Sequence, residues 1–191
     1  MKRAIILLLL LAATPAFAAG PAAQYFKDIV LTDQNGHRVR LYEDVMKDRT
    51  IVMNSFFATC KGSCPIMTQT YSSLQDRFAD RLGKDLMLVS ITVDPANDTP
   101  PKLAEYALKA KAKPGWLLLT GSKDEVALAL KKIGQSSETP EAHLNVMIVG
   151  NDKTGLWKKA FALAKPEEIA KIVESVLNDQ GEPAGAAPGQ K

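Results

Sequence analysis

The sequence predicts an α/β domain: a β-sheet of mixed strand direction, covered by helices on both faces, with a β-hairpin at its N-terminal end. Three observations predict it. Between residues 50 and 133, short apolar runs alternate with stretches of helical period. Such alternation is what parallel strands joined by crossover helices require. Turn signals at Asn35-Gly36 and over 151–155 add antiparallel hairpins before and after that core. Finally, 46% hydrophobic and 24% charged residues over 191 positions supply one sizeable core and exclude a disordered or collagen-like chain.

The elements follow in order. Residues 29–32, Ile-Val-Leu-Thr, read as a strand; Asp33-Gln34-Asn35-Gly36 is turn chemistry, and 39–41 returns as the second hairpin strand. Residues 51–57 are apolar enough for a buried central strand. A loop over 59–63 leads to a helix opening at Cys64-Pro65, where the missing proline N–H would have had no helical partner. Met67, Tyr71, Leu74, Phe78 and Leu82 give that helix one apolar face. Residues 86–93 are a second buried strand, and 94–98 a loop. Thr99 is placed to cap a helix starting at Pro100 and running to about Ala112. A strand over 116–120 and a helix over 123–133 follow, the latter turning Val126, Ala129, Leu130 and Ile133 inward. Residues 134–142 are a polar loop. Strands over 144–149 and 156–163 make the closing hairpin, and Pro166 opens a last helix with Ile169, Ile172, Val173 and Val176 on one face.

The two ends are different in kind. Met1-Lys2-Arg3, an apolar run over 4–13 and Ala16-Phe17-Ala18 have the pattern of a secretory signal peptide, residues 1–18. The run is short for a permanent membrane span, which needs about 20 apolar residues. Its removal takes Lys2 and Arg3 with it, so the net charge falls from +3 to +1. That balance offers nothing to nucleic acid. The expected location is the periplasm, with no stable membrane anchor after cleavage; an uncleaved leader would instead tether the chain. A linker over 19–25 precedes one domain over 26–178. The tail, 179–191, is rich in Gly, Pro, Ala and Gln and cannot bury enough surface to order itself.

The scarce residues carry the chemistry. Apart from methionine, soft-ligand, redox and imidazole chemistry must draw on Cys60, Cys64, His37 and His143. One cysteine pair in an exported domain of this size is a single crosslink or a chemical site. A disulfide closing so short a loop stabilises little. Cys64 at a helix start, Lys61 beside Cys60 and a partly exposed loop all favour thiolate. Cys60 also falls at the carboxyl end of a central strand, where ligand sites gather in open α/β sheets. His143 precedes the strand over 144–149, and a sheet of this order brings that segment toward the cysteines. Two thiolates and an imidazole suit Cu(I); they also suit zinc, although a structural zinc site wants a fourth ligand. His37 reads as a solvated turn residue and Met67 as core. Asp98 reads as part of the helix cap, and Asp94 as a candidate to support the cysteines from outside the ligand set.

Phe56-Phe57-Ala58-Thr59-Cys60-Lys61-Gly62-Ser63-Cys64-Pro65 resembles the C-x-x-x-C-P site of the SCO/SenC copper-chaperone family. Ser90-Ile91-Thr92-Val93-Asp94-Pro95 followed by Asp98-Thr99-Pro100, the Trp-x-x-x-Thr-Gly segment over 116–121 and the position of His143 resemble that family too, over residues 26–177. The resemblance implies a thioredoxin-like fold. It implies one copper ion per chain, Cu(I) or Cu(II), held by Cys60, Cys64 and His143. It further implies a role in supplying copper to, or reducing the thiols of, the dinuclear copper centre of cytochrome c oxidase. The partner would be oxidase subunit II or another periplasmic copper chaperone. Where the family carries an Asp before the histidine, this chain has Ala142. The competing expectation is a thiol–disulfide oxidoreductase, with Cys60 attacking and Cys64 resolving. Thioredoxin-type enzymes use the shorter C-x-x-C spacing, however, and that scheme gives His143 no task.

Overall fold

The structure, a computed structural model, describes residues 21–181; the expected leader and residues 182–191 of the expected tail lie outside them. The described residues form β1 (Val30–Asp33), β2 (Arg38–Arg40), β3 (Thr50–Phe56), β4 (Leu86–Thr92), β5 (Trp116–Thr120), β6 (Val146–Asn151) and β7 (Trp157–Phe161). The α-helices are α1 (Pro21–Phe26), α2 (Cys64–Arg77), α3 (Pro100–Lys109), α4 (Lys123–Lys132) and α5 (Pro166–Leu177). All seven strands join one sheet in the order β2-β1-β5-β4-β3-β6-β7. β3, β4 and β5 run parallel, and the remaining pairs are antiparallel. The mixed sheet and the N-terminal hairpin are therefore as expected.

Every residue of β3 and β4 is buried, which is why both read as unbroken apolar runs rather than alternating ones. On one face Val52, Phe56 and Leu88 pack with Tyr71 and Leu74 of α2, Leu103 of α3 and Val173 of α5. On the other, Ile51, Met53, Val89 and Ile91 meet Phe26 of α1, Leu41 and Met46, and Ala129 of α4. Leu41–Met46 forms a π-helical turn that buries Leu41, Tyr42, Val45 and Met46.

Four expectations need correction. The linker expected over 19–25 carries most of α1. Six residues are too few for a helix on propensity alone, but Ala23 and Phe26 are buried, Phe26 with its ring 6.0 Å from that of Trp157. α2 ends at Arg77; Phe78 and Leu82 keep the apolar side as part of the following turn. β6 begins at Val146: its ladder to β7 starts with Val146 opposite Phe161, and Asn145 before it keeps one carbonyl bond, from Ala162 N–H. Thr99 occupies the position before α3, yet its hydroxyl caps nothing. Pro100 and Pro101 lack N–H groups, so two of the four unpaired donors at the start of the helix are absent.

The hairpin is tied to α4 by one ion pair. Arg38 Nη2 approaches Glu125 Oε1 at 2.5 Å, and Glu125 also closes a capping box with Ser122. The Arg38 guanidinium and the Ser122 N–H hold the Glu125 carboxyl down at about 2. A lowered carboxyl stabilises the fold above its ordinary pKa of 4.5 and loses that contribution as pH falls toward 2. Both side chains are partly solvated, so the pair is worth about 1 kcal/mol. Glu125→Gln is expected to lower the melting temperature at pH 7, with the difference shrinking as pH falls from 4.5 toward 2, as measured by thermal denaturation across that range.

Candidate metal centre

The site lies where β3, β4 and β5 end and β6 begins. β3 delivers Phe57 and the turn that follows, in which Cys60 N–H donates to the Phe57 carbonyl at 3.2 Å. Cys60 is half-buried in the loop, and Cys64 opens α2 at 1% exposure. Both thiols are free. Thr68 Oγ1 donates to the Cys64 carbonyl at 2.8 Å and lies 2.6 Å from the Tyr106 hydroxyl, which fastens the first turn of α2 to α3.

Asp98 anchors the same loop from β4. Its Oδ2 accepts from Ala58 N–H at 3.0 Å and from the Thr92 hydroxyl at 2.5 Å, and the residue is 1% exposed. Burial pushes its carboxyl up from the ordinary value of 3.8, while those two bonds pull it down. Asp98 is therefore a tether between the two strand ends rather than a helix cap. Asp94, expected to support the cysteines, accepts from Asn97 Nδ2 instead and lines an open cavity with Ser122, Lys123 and Glu138.

His143 closes the site from the other side. Pro140–Ala142 forms a single 3-10 turn, after which His143 is extended and only 7% exposed. Its ring stands edge-on to Phe57, centroids 5.7 Å apart. Its Nε2 lies 3.4 Å from Cys64 Sγ. Burial lowers its pKa, which favours the neutral ring that binds metals; the Leu144 backbone opposes this in part. Nδ1 is buried and makes no hydrogen bond.

One donor atom from each of Cys60, Cys64 and His143 lies within 4.8 Å of the others, the one such group of three among the described residues. The thiolate expectation is corrected in one respect. Cys64 Sγ sits under the core rather than in the loop, so burial and the Cys60 thiol raise its pKa above the ordinary range. The helix start does not overcome that burial, and a metal must displace the Cys64 proton to bind. Met67 is excluded from the donor set: it is buried in the core, and its sulfur lies 3.9 Å from Asn54 Nδ2, which donates to it. His37 stays in the hairpin turn, its side chain 76% exposed beside Asp33.

Residues 18–178 match the model of the SCO1/SenC family. The chain belongs to this family. It is 28% identical over 151 residues to the SCO1 protein homolog of Bacillus subtilis, spanning 76% of this chain and 72% of that one. Among solved structures it is similar to BsSco, described as having a disulfide switch and as a member of the Sco family of cytochrome c oxidase assembly proteins. That match has 25% identity and a TM-score of 0.64, and covers 77% of this chain and 90% of that one. It is also similar to yeast Sco1 with copper bound, at 24% identity and a TM-score of 0.65 over 85% of this chain and 93% of that one. The thioredoxin-like architecture expected from the sequence is the one these SCO1/SenC folds share.

Nδ1 of the His143 ring is buried without a partner, and the residue before it, Ala142, is exposed and has no polar side-chain group to offer it. Metal-bound histidines ordinarily have that nitrogen held by a carboxylate or carbonyl. Sequence reasoning missed the tether role of Asp98 and the ring contact of Phe57. The spacing of Asp98 from β4 was readable, but a capping role explained it equally well.

Proposed function

We propose that this chain is an exported copper chaperone. Cys60, Cys64 and His143 hold one copper ion per chain, for delivery to a copper site such as the dinuclear centre of cytochrome c oxidase, or to another copper carrier. The observation that carries this reading is the convergence of two sulfurs and one imidazole nitrogen within 4.8 Å. Thiolates select Cu(I), and imidazole accepts copper in either oxidation state. Three protein ligands leave room for a fourth from the acceptor, and the half-buried Cys60 is the ligand an incoming thiol can reach first. Membership of the SCO1/SenC family, and the copper bound to yeast Sco1, support the same reading. Among the described residues no helix is long and apolar enough to cross a membrane.

The test is a titration of the reduced protein with Cu(I) and with Cu(II). One ion per chain is expected, with His143→Ala and Cys60→Ser each binding more weakly and the Cys60–Cys64 disulfide form binding none. Equal binding by all three chains, or none by the unmodified chain, overturns the proposal. A dithiol reductase is the second reading. It is favoured by the more exposed Cys60 lying beside a buried Cys64, the arrangement of an attacking and a resolving thiol. Reduction of an insulin-type disulfide at the rate of a dedicated reductase would support it.

A further inference from the structure

Gln135 lies outside the donor set, in the loop after α4, yet it is fully buried. α4 ends in a Schellman motif: Gly134, with φ +67°, sends its N–H to Lys131 O, and Gln135 sends its N–H to Leu130 O. The left-handed turn at Gly134 reverses the chain and lets the next side chain enter the sheet.

The carboxamide enters at a specific place. β3 and β6 pair in register from Thr50 with Asn151 to Met53 with Ile148, and there the ladder stops. Carried two residues further, that register would set Ser55 against Val146. Instead Gln135 Oε1 accepts from Ser55 N–H at 2.9 Å, and its Nε2 donates to the Val146 carbonyl at 3.1 Å. A side-chain amide thus replaces one rung of the ladder and wedges the two strands apart. Ser55 and Phe56 remain paired to β4, and Val146 and Met147 to β7, so the split is confined to the β3–β6 seam.

The split opens toward the metal centre. Cys60 follows from the β3 side of the gap, and His143 stands three residues before Val146 on the β6 side. We propose that Gln135 is a positioning residue for copper: its inserted amide sets the separation between the cysteine segment and His143. Without it the two strands can close in register, and the imidazole shifts relative to the sulfurs. This inference rests on the copper reading above. It concerns geometry delivered through His143, not contact with the ion.

The test is a double-mutant cycle on Cu(I) affinity, measured by competition with a chromophoric chelator. Gln135→Met keeps the length of the side chain and loses both hydrogen bonds. It is expected to bind Cu(I) about tenfold more weakly, the lower end of what loss of an outer-shell partner costs. In the His143→Ala background the same substitution should change affinity by less than about twofold, because its effect runs through the missing ring. In metal-free protein, proton NMR should show the His143 ring resonances displaced by Gln135→Met and those of His37 unmoved. Gln135→Glu, protonated at this fully buried position, can accept from Ser55 and donate to Val146 and is expected to bind Cu(I) within about twofold of the unmodified chain; a loss as large as that of Gln135→Met would count against the bridge. Unchanged affinity in Gln135→Met, or the same loss with and without His143, overturns the positioning role and leaves the copper reading standing. Absence of Cu(I) binding by the unmodified chain overturns the copper reading, and the inference falls with it.

Discussion

Cys64→Ser is expected to weaken Cu(I) binding by more than about 100-fold, beyond the range seen when an outer partner of a ligand is lost. The reason is donor chemistry rather than structure. A serine hydroxyl is a hard donor that stays protonated, whereas Cu(I) selects soft thiolate. Serine is close to cysteine in shape, and the Cys64 Sγ lies 3.4 Å from Nε2 of the His143 ring and beside the Cys60 thiol. A hydroxyl there can still bond Nε2, so the melting temperature should stay within a few degrees. Chelator competition and thermal denaturation on one sample separate the two effects. A variant that keeps its copper would place the ion elsewhere.

Asp98→Ala is expected to destabilise the fold by about 3 kcal/mol, because it leaves the Ala58 N–H and the Thr92 hydroxyl without their buried acceptor. For a domain of this size that is about 9 °C in melting temperature. Copper affinity should fall too, since Ala58 lies two residues before Cys60 and the loop loses its tether to β4. Asp98→Asn should behave differently, because its carbonyl oxygen still accepts both bonds. The sign of the pH effect follows from burial, which raises the carboxyl in the folded state. A raised carboxyl stabilises the fold at low pH and loses that contribution as pH rises through its folded value. Asp98→Asn should therefore gain stability relative to the unmodified chain between acid and neutral pH. Thermal denaturation at several pH values would show this, and equal curves for all three chains would remove the tether.

The strands and helices were legible where one period dominated. β3 and β4 are buried on both faces and read as apolar runs, and the Met67, Tyr71 and Leu74 stripe of α2 follows helical spacing. α1 was not legible: a short Pro/Ala-rich stretch has no helical period, and only the burial of Phe26 against the sheet makes it helical. The three candidate donor residues were visible because cysteine and histidine are scarce, and the strand order brings their loops together. What sequence alone hid was which carboxylate and which amide support them. Asp94 and Asp98 share one loop, and the reading that gave Asp94 to the cysteines and Asp98 to the helix cap is reversed by the turn after β4, which sends Asp98 to Ala58. Gln135 sits in a polar loop, and nothing in its neighbours signals that it enters a sheet seam.

X-ray absorption at the copper edge, on the reduced chain loaded with one equivalent of Cu(I), identifies the atoms that hold the ion. Two sulfur scatterers and one imidazole nitrogen are expected, falling to one sulfur in Cys60→Ser and losing the imidazole signature in His143→Ala. A spectrum of oxygen and nitrogen scatterers alone, or one that neither substitution changes, would contradict that ligand set.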